Sequence, residues 1–276
     1  MIIADSIETL KKARNSLNDV AFIPTMGYLH DGHLALVNAA KKTKRPVIVS
    51  IFVNPLQFGP TEDFEHYPRS FETDCAKLAA AGVDIVFAPP PDVLYPKQQT
   101  CFLDPTSQHD ILEGKLRPGH FTGVATVVMK LFHLVAPKTV FFGKKDYQQL
   151  SMIRDMVEEF NMDIEIVGVN TVRETDGLAM SSRNAYLTED ERKEAPFLYN
   201  ALQEIKRCLL EGDRNYDLMS QQATDSLIKR GWQVDYIAIR PQNQLQLDPS
   251  VNQPLVILAA AKLGSTRLID NIEVNV

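Results

Sequence analysis

Three features of this sequence predict an α/β fold: a parallel sheet covered by helices on both faces, with a smaller C-terminal α+β domain. Short strands made almost wholly of apolar residues recur, at 20–23, 47–53 and 83–88, and a strand with no polar face must be covered on both sides. Segments of helical periodicity separate them, which is the alternation of a parallel sheet with crossover helices. After about residue 184 that alternation stops, and helices are followed by a run of strands. The expected domains are therefore 1–184 and 185–276.

Asp5 with Glu8 forms a capping-box pattern, predicting a helix to about residue 17. The run Val20-Ala21-Phe22-Ile23 reads as a buried strand that should stop near Pro24, which cannot donate to a sheet ladder. Gly27 permits close backbone approach. A helix then follows His30-Asp31-Gly32-His33 to about residue 43, with Leu34, Val37 and Lys41 on one side. The second strand, 47–53, leads into a polar, proline-bearing loop that runs to Arg69. Helical periodicity over 71–81 ends at Gly82, and strand 83–88 ends at Pro89-Pro90-Pro91. Residues 92–118 carry no clear pattern. A helix over 121–135 aligns Val124, Val128, Leu131 and Val135; strand 139–142, helix 147–160 and strand 164–169 complete the larger domain. In the smaller one, Thr188 with Glu191 caps a helix to about 210 that is interrupted at Pro196. Helix 217–229 and strands 234–239, 255–260 and 266–274 follow.

Apolar residues make up 45% of the 276, enough for a substantial core. With 29 basic and 35 acidic residues the net charge is −6, so bulk charge does not make a nucleic-acid clamp, and an anionic ligand must be met by local cations. Cys75, Cys101 and Cys208 are odd in number and far apart, which argues against a disulfide framework and fits a reducing cytoplasm. The N-terminal stretch lacks a signal-peptide apolar region, and no apolar run nears the ~20 residues a membrane span needs. The expectation is a cytoplasmic protein with no nucleic-acid and no membrane partner.

In doubly wound sheets, ligands sit beyond the carboxyl ends of the strands, where strand order reverses. Polar clusters fall at three such ends: 24–33, 54–69 and 143–149. The first joins a strand, a glycine turn and a helix start, where free N–H groups and the helix dipole favour an anion. His30 and His33 would donate to phosphate there; the same spacing also fits a plain strand-to-helix joint. A metal pair would need a third His or Cys, and none lies nearby in sequence. The second cluster offers Asn54 and Gln57, amides beside apolar residues, suited to a small ligand with a carboxylate or hydroxyl. An Asn-Pro turn with a structural glutamine is the alternative. In the third, Lys144 and Lys145 precede a helix whose dipole disfavours them unless an anion offsets it. Asp146 would accept from ribose hydroxyls, and Gln149 lies one turn on from Lys145; a solvated lysine pair is the alternative. At the domain joint, Ser181, Ser182 and Arg183 supply hydroxyls and a bidentate cation fit to grip a triphosphate, or form a polar linker. Arg117 opens a helix and would add a cation, or serve only a capped start.

These motifs carry a resemblance. His30-x-Gly32-His33 after a strand resembles the HIGH-type signature of nucleotidyltransferases, and Met180-Ser181-Ser182-Arg183 resembles their KMSKS-type loop. PTMGYLHDGH, IFVNPLQF, RPGHFTGVATVV, FFGKKDYQQL and ETDGLAMSSRN, in that order, resemble the pantoate–β-alanine ligase (pantothenate synthetase) family over nearly the whole chain. Lys144 departs from the pattern, where Glu or Gln is more usual. The resemblance implies a Rossmann-like sheet and a C-terminal lid domain. It also implies ATP-dependent condensation of (R)-pantoate with β-alanine to pantothenate, through a pantoyl adenylate, releasing AMP and pyrophosphate.

By the same resemblance His30, His33 and Lys145 are catalytic. ATP would be bound by Met26, Gly27, Tyr28, Leu29, Asp31 and Gly32 with the two histidines, by Gly143, Lys144, Lys145 and Asp146, and by Val172, Met180, Ser181, Ser182 and Arg183. Pantoate and β-alanine would meet Gln57, Gln149, Pro24, Met26, Asn54 and Arg117, with Phe52 walling the pantoate methyls. The family implies Mg²⁺ carried on the phosphates rather than in a protein cage, and a homodimer joined through the larger domain. Two rivals stand beside it. A cytidylyltransferase-like enzyme would release its nucleotidyl product, which the Gln57 and Gln149 pair argues against. A silent nucleotide-binding module would not need His30, His33, Lys145 and Arg183 intact.

Overall fold

The computed structural model describes residues 1–60, 62–250 and 253–275; Thr61, inside the predicted polar loop, lies outside the described residues. Packing divides the chain into two compact units, Met1–Lys144 with Gln148–Asn170, and Lys145–Tyr147 with the chain from Thr171 onward. The sequence reading drew its boundary after residue 184, beyond the loop that bears Ser181 to Arg183.

The first unit is the expected parallel sheet. Its six strands are β1 (Ile2–Ala4), β2 (Ala21–Thr25), β3 (Val47–Ile51), β4 (Ile85–Phe87), β5 (Thr139–Gly143) and β6 (Glu165–Val169), ordered β1-β4-β3-β2-β5-β6. Helices α1 (Ile7–Arg14), α2 (Asp31–Lys42), α3 (Phe71–Ala80), α4 (Pro91–Leu94), α5 (Leu112–Leu116), α6 (His120–Val135) and α7 (Tyr147–Glu159) lie between them. Alternate strand residues feed opposite faces. Phe22, Ile48, Ile85, Phe87 and Val140 join a core with Leu10 of α1, Val128 of α6 and Ile153 of α7. Ala21, Ile23, Val47, Val49, Val86 and Phe141 join another with Val37 of α2 and Leu78 of α3. Two apolar faces per strand are the physical basis of the near-continuous apolar runs.

Strand order reverses between β2 and β5. Their ladder pairs only Ala21 with Thr139 and Phe22 with Val140, so the carboxyl ends part there and open the crevice of a doubly wound sheet. Pro24 was expected to end the strand, yet β2 runs through it to Thr25, opposite Ser50 and Ile51 of β3. Ala21 N–H donates to Pro46 O, and Thr25 O accepts from Phe52 N–H, both on the β3 side. Val20 O instead accepts from Lys138 N–H, towards β5. Pro24, in step with Val20, would address β5 where pairing has already stopped, so its missing donor costs no ladder bond.

Other local expectations shift. β1, parallel to β4, was not anticipated, because Ile2 and Ile3 of this edge strand are exposed and carry no alternating pattern. The cap of α1 is Ser6, whose Oγ accepts from Thr9 N–H at 3.2 Å, rather than Asp5. α2 buries Leu36, Val37 and Ala40, not Leu34 and Lys41. The unassigned stretch holds α4, α5 and a 3₁₀ turn, Thr106–Gln108.

The second unit contains α8 (Glu189–Glu194), α9 (Phe197–Leu210), α10 (Tyr216–Lys229) and the antiparallel strands β7 (Gln233–Pro241), β8 (Leu255–Leu263) and β9 (Thr266–Val274). The Thr188–Glu191 capping box forms, and Pro196 separates α8 from α9. On α9, Leu198, Leu202, Ile205 and Leu209 make one buried stripe that packs with Leu255, Ile257 and Ala259 of β8. All three cysteines are free. Among the described residues no helix is long and apolar enough to cross a membrane.

Candidate active site

Beyond β2 the chain turns on Gly27, at φ +82°, where a Cβ would stand 3.0 Å from Ile51 Cγ2 and 3.2 Å from Asp74 Oδ2. Asp74, buried on α3, accepts from Tyr28 N–H at 2.7 Å and Leu29 N–H at 2.8 Å. Ser70 Oγ donates to it at 3.0 Å. One helical turn on, Lys77 Nζ donates to Leu29 O at 2.5 Å. α3 thus clamps the turn through its backbone. This corrects the expectation of free N–H groups here: those of Tyr28 and Leu29 serve Asp74, and the Leu29 side chain lies in the core.

At the start of α2, His30 Nδ1 accepts from Gly32 N–H at 3.1 Å, and His33 Nδ1 accepts from His30 N–H at 3.2 Å. It is a capping box built from two imidazoles, with ring centroids 4.1 Å apart. A ring nitrogen that accepts from an N–H carries no proton, so each neutral ring bears its proton on Nε2. Asp31 is exposed and Gly32 half-buried beside them.

The carboxyl end of β3 leads into Asn54 and the 3₁₀ turn Pro55–Gln57. Asn54 is 1% exposed. Its Oδ1 accepts from Tyr95 Oη at 2.8 Å and Leu56 N–H at 3.4 Å, while Nδ2 donates to Gly123 O at 3.1 Å and Gln57 Oε1 at 3.2 Å. With its amide so committed, Asn54 orients Gln57, whose Nε2 reaches Met26 Sδ at 3.1 Å. Gly123 lets α6 lie against this turn; a Cβ there would fall 2.2 Å from Leu56 O.

The Gln57 main chain is held as well. Its carbonyl accepts from His120 Nδ1 at 2.7 Å, and Arg117 Nη1 meets His120 Nε2 at 3.0 Å. A guanidinium only donates, so Nε2 accepts and Nδ1 bears the ring proton. Arg117 Nε and Nη2 grip both oxygens of Glu62 at 2.7 Å, so the cation read as a ligand group has a protein partner. Burial pushes the Glu62 carboxyl up, but the Arg117 bonds and charge outweigh it and hold it below its usual range.

Burial, then the Arg117 charge, pushes the His120 pKa down to about 4. The unfolded chain protonates this ring below about pH 6.5 and the folded chain only near 4. Stability present above pH 6.5 is thus lost as pH falls through that window, by up to about 3 kcal/mol. His120→Asn, which keeps a donor near Nδ1, is expected to lack this loss. Urea midpoints from pH 7 to 4 read the difference, and equal acid dependence of the two proteins would refute it.

In the second unit, Lys145 O accepts from Asn271 Nδ2 at 2.8 Å, and Asp146 is exposed. Residues 172–180 fold back as a short hairpin: Met180 N–H donates to Val172 O at 3.0 Å and Glu174 N–H to Leu178 O at 2.8 Å. Val172 and Met180 are thereby neighbours. Ser181 caps the turn Ser182–Tyr186, its Oγ accepting from Arg183 N–H at 3.2 Å. Asn184 Nδ2 braces the loop through Ala179 O at 3.1 Å.

Residues 2–273 match the family model of pantoate-beta-alanine ligase. The chain belongs to the pantoate–β-alanine ligase family. It is 52% identical over 275 residues to a pantothenate synthetase of Neisseria meningitidis serogroup B, with 99% of each chain covered. It is similar to the solved pantothenate synthetase from Thermus thermophilus, at 42% identity and a TM-score of 0.91, both chains being covered in full. It is also similar to the pantoate-beta-alanine ligase from Francisella tularensis complexed with beta-gamma ATP and beta-alanine, at 36% identity and a TM-score of 0.81, over 99% of this chain and 97% of that one. The chain is accordingly an enzyme of this ligase class, with the Rossmann-like sheet and small antiparallel sheet of its family.

The other residues singled out in this ligase lie in the first unit. Gly143 closes β5, Lys144 N–H donates to Val169 O at 2.8 Å, and Gln149 is half-buried in the first turn of α7. Its neighbour Gln148 was missed: its Oε1 accepts from Glu113 N–H at 2.9 Å and its Nε2 donates to Ile111 O at 3.2 Å. Asp74 was also missed, although its place beside buried Cys75 and Leu78 puts an acid on the apolar face of α3. An acid in such a stripe is a readable signal of a buried partner.

Proposed function

We propose that this ligase condenses (R)-pantoate with β-alanine to pantothenate through a pantoyl adenylate. A pantoate carboxylate oxygen attacks the α-phosphorus of ATP as the bond to pyrophosphate breaks. The β-alanine amine then attacks the acyl carbon, AMP leaves, and the amine gives up a proton as the amide forms. Both steps ask mainly for position and charge stabilisation.

The observation that carries this reading is the reciprocal capping of His30 and His33, which keeps two Nε2 donors beyond β2, where such sheets hold nucleotides. Donors already fixed in place stabilise charge building on phosphate without reorganising. Lys145, Ser181, Ser182 and Arg183 are assigned to the triphosphate and the leaving pyrophosphate. Asp146 and Gly143 are assigned to the ribose, and Val172 and Met180 to the adenine. Gln57 and Gln149 take the pantoate hydroxyls and carboxylate, with Pro24, Met26 and Phe52 beside its methyls. The Francisella ligase bound to beta-gamma ATP and beta-alanine supports those two as substrates.

Mg²⁺ would enter with ATP as part of the substrate and would offset the phosphate charge. Among the described residues no group of three or more His, Cys, Asp or Glu stands together to hold an ion. A homodimer joined through the first unit and a cytoplasmic setting belong to the same proposal. Sedimentation at micromolar concentration is expected to return twice the 31.0 kDa chain mass; a species of single mass would discard the dimer.

With ATP, pantoate and β-alanine, the products expected are pantothenate, AMP and pyrophosphate in equal amounts. ADP and inorganic phosphate would indicate an acyl phosphate and sink the adenylate. Gln57→Ala is expected to raise the pantoate KM by roughly 10-fold or more, with kcat changed only a few-fold, because it removes binding to the acid and not to the leaving group. An unchanged pantoate KM would show the acid pocket to be misplaced.

A further inference from the structure

Lys145 to Tyr147 interrupt the first unit in sequence, between β5 and the body of α7, yet pack with the second unit. The tie runs through β9. Asn271, 5% exposed, donates from Nδ2 to Lys145 O at 2.8 Å, and two residues on Glu273 Oε1 accepts from Tyr147 Oη at 3.1 Å. The Asn271 main chain faces another partner: its carbonyl accepts from Arg173 Nη2 at 3.1 Å. Asp270 takes the same guanidinium with both oxygens, at 2.7 and 2.9 Å. Arg173 Nη1 also donates to Gly177 O at 3.1 Å, inside the loop that leads to Ser181 and Arg183.

That loop is tightly seated. The Arg173 guanidinium lies 3.8 Å from the centroid of the Tyr199 ring. Gly177, at φ +95°, passes so close to Tyr199 that a Cβ would fall 2.6 Å from its Cδ1. The Arg173–Asp270 pair is mostly out of solvent, at 17% and 3% side-chain exposure, so it is not the mobile, screened pair of an open surface. One residue, Asn271, therefore touches both phosphate-handling segments: Lys145 through its amide and the 171–183 loop through its carbonyl.

We infer that Asn271, backed by Asp270, is a positioning residue that holds Lys145 and the 171–183 loop in one register for the triphosphate. The inference rests on the assignment of Lys145 and that loop to the leaving pyrophosphate. Neither Asn271 nor Asp270 touches substrate in this scheme; each acts through the segment it orients. A misplacement of about 1 Å at a reacting group costs up to about 10²-fold, which sets the scale of the effect.

The test is a double-mutant cycle read by pyrophosphate–ATP exchange with pantoate present, thermal stability being measured alongside. Asn271→Leu keeps the branched shape and the main-chain carbonyl but deletes the donor to Lys145 O. It is expected to lower kcat/KM for ATP by about 10–100-fold while leaving the pantoate KM unchanged. In a Lys145→Ala background the same substitution is expected to change exchange by less than about 2-fold, since the hydrogen bond to the carbonyl then has no lysine side chain to position. Asn271→Ser, with a shorter hydroxyl donor, gives a second reading should the leucine variant fold poorly, and an intermediate loss is expected. Equal losses from Asn271→Leu with and without Lys145, or a matching rise in the pantoate KM, would overturn the positioning role. A Lys145→Ala enzyme with wild-type exchange would overturn the assignment of Lys145 itself, and the inference with it.

Discussion

Lys145→Ala is expected to slow adenylate formation by about 10²–10³-fold, the usual cost of removing one donor to charge that develops in a transition state. Lys144 and Lys145 both precede α7, at the helix end whose dipole disfavours cations by about 0.3–1 kcal/mol each. A cation kept there is favoured by a bound anion, and pyrophosphate gains charge as it leaves. The two lysines differ in what holds them. Lys144 N–H pairs with Val169 O on β6, and its stem lies along Gly168, where a Cβ would be 3.4 Å from Lys144 Cγ. Lys145 has its carbonyl fixed by Asn271, both residues lying within the second unit. Lys144→Ala is therefore expected to cost less than about 3-fold, as a partly solvated charge contributes little. Single-turnover rates at saturating ATP separate the two, and a Lys145→Ala rate within 3-fold of wild type would remove this side chain from the chemistry.

The second large effect is at His33. Its ring has two duties on two nitrogens: Nδ1 accepts from His30 N–H, and Nε2 is the donor assigned to phosphate. His33→Asn keeps an acceptor near Nδ1 and loses the far donor. His33→Gln reaches towards Nε2 and gives up the cap. If the donor carries the rate, the asparagine variant should fall by about 10²–10³-fold, as alanine would, and the glutamine variant by less. If the ring is only a cap, asparagine should be near wild type and glutamine should lose stability, by about 1 kcal/mol for a lost cap. Near-wild-type turnover in His33→Asn is thus the outcome that would reduce His33 to a structural residue. The same pair at His30, where Nδ1 accepts from Gly32 N–H, checks whether the two imidazoles act alike.

Much of the fold was legible because both faces of the sheet are covered. β2 to β5 show as apolar runs, and α9 shows as a stripe at helical spacing, since burial alone writes those patterns. β1 left no such trace, being a short edge strand with exposed isoleucines. Pro24 misled for a related reason: a rule about ladder donors says nothing of which neighbour a residue addresses.

For the candidate site, the resemblance points to the motif residues but not to the groups that support them. Asp74 reaches Leu29 across 45 positions, His120 reaches Gln57 across 63, and Asn271 reaches Lys145 across 126. Periodicity reports what is buried, and not which distant backbone a buried polar group satisfies. For the same reason the sequence does not show the protein partners of Asn54 and Arg117, which are Gln57, Gly123, Leu56 and Tyr95 for the first and Glu62 and His120 for the second.

An enzyme-bound acyl adenylate is most directly tested by isotope exchange. With ATP, Mg²⁺ and pantoate but no β-alanine, labelled pyrophosphate is expected to appear in ATP, and to stop appearing when pantoate is left out. Exchange that ignores pantoate would match a cytidylyltransferase-like reaction. No exchange at all, in protein that makes pantothenate once β-alanine is added, would contradict a free-standing first step and require attack by the amine in concert with loss of pyrophosphate.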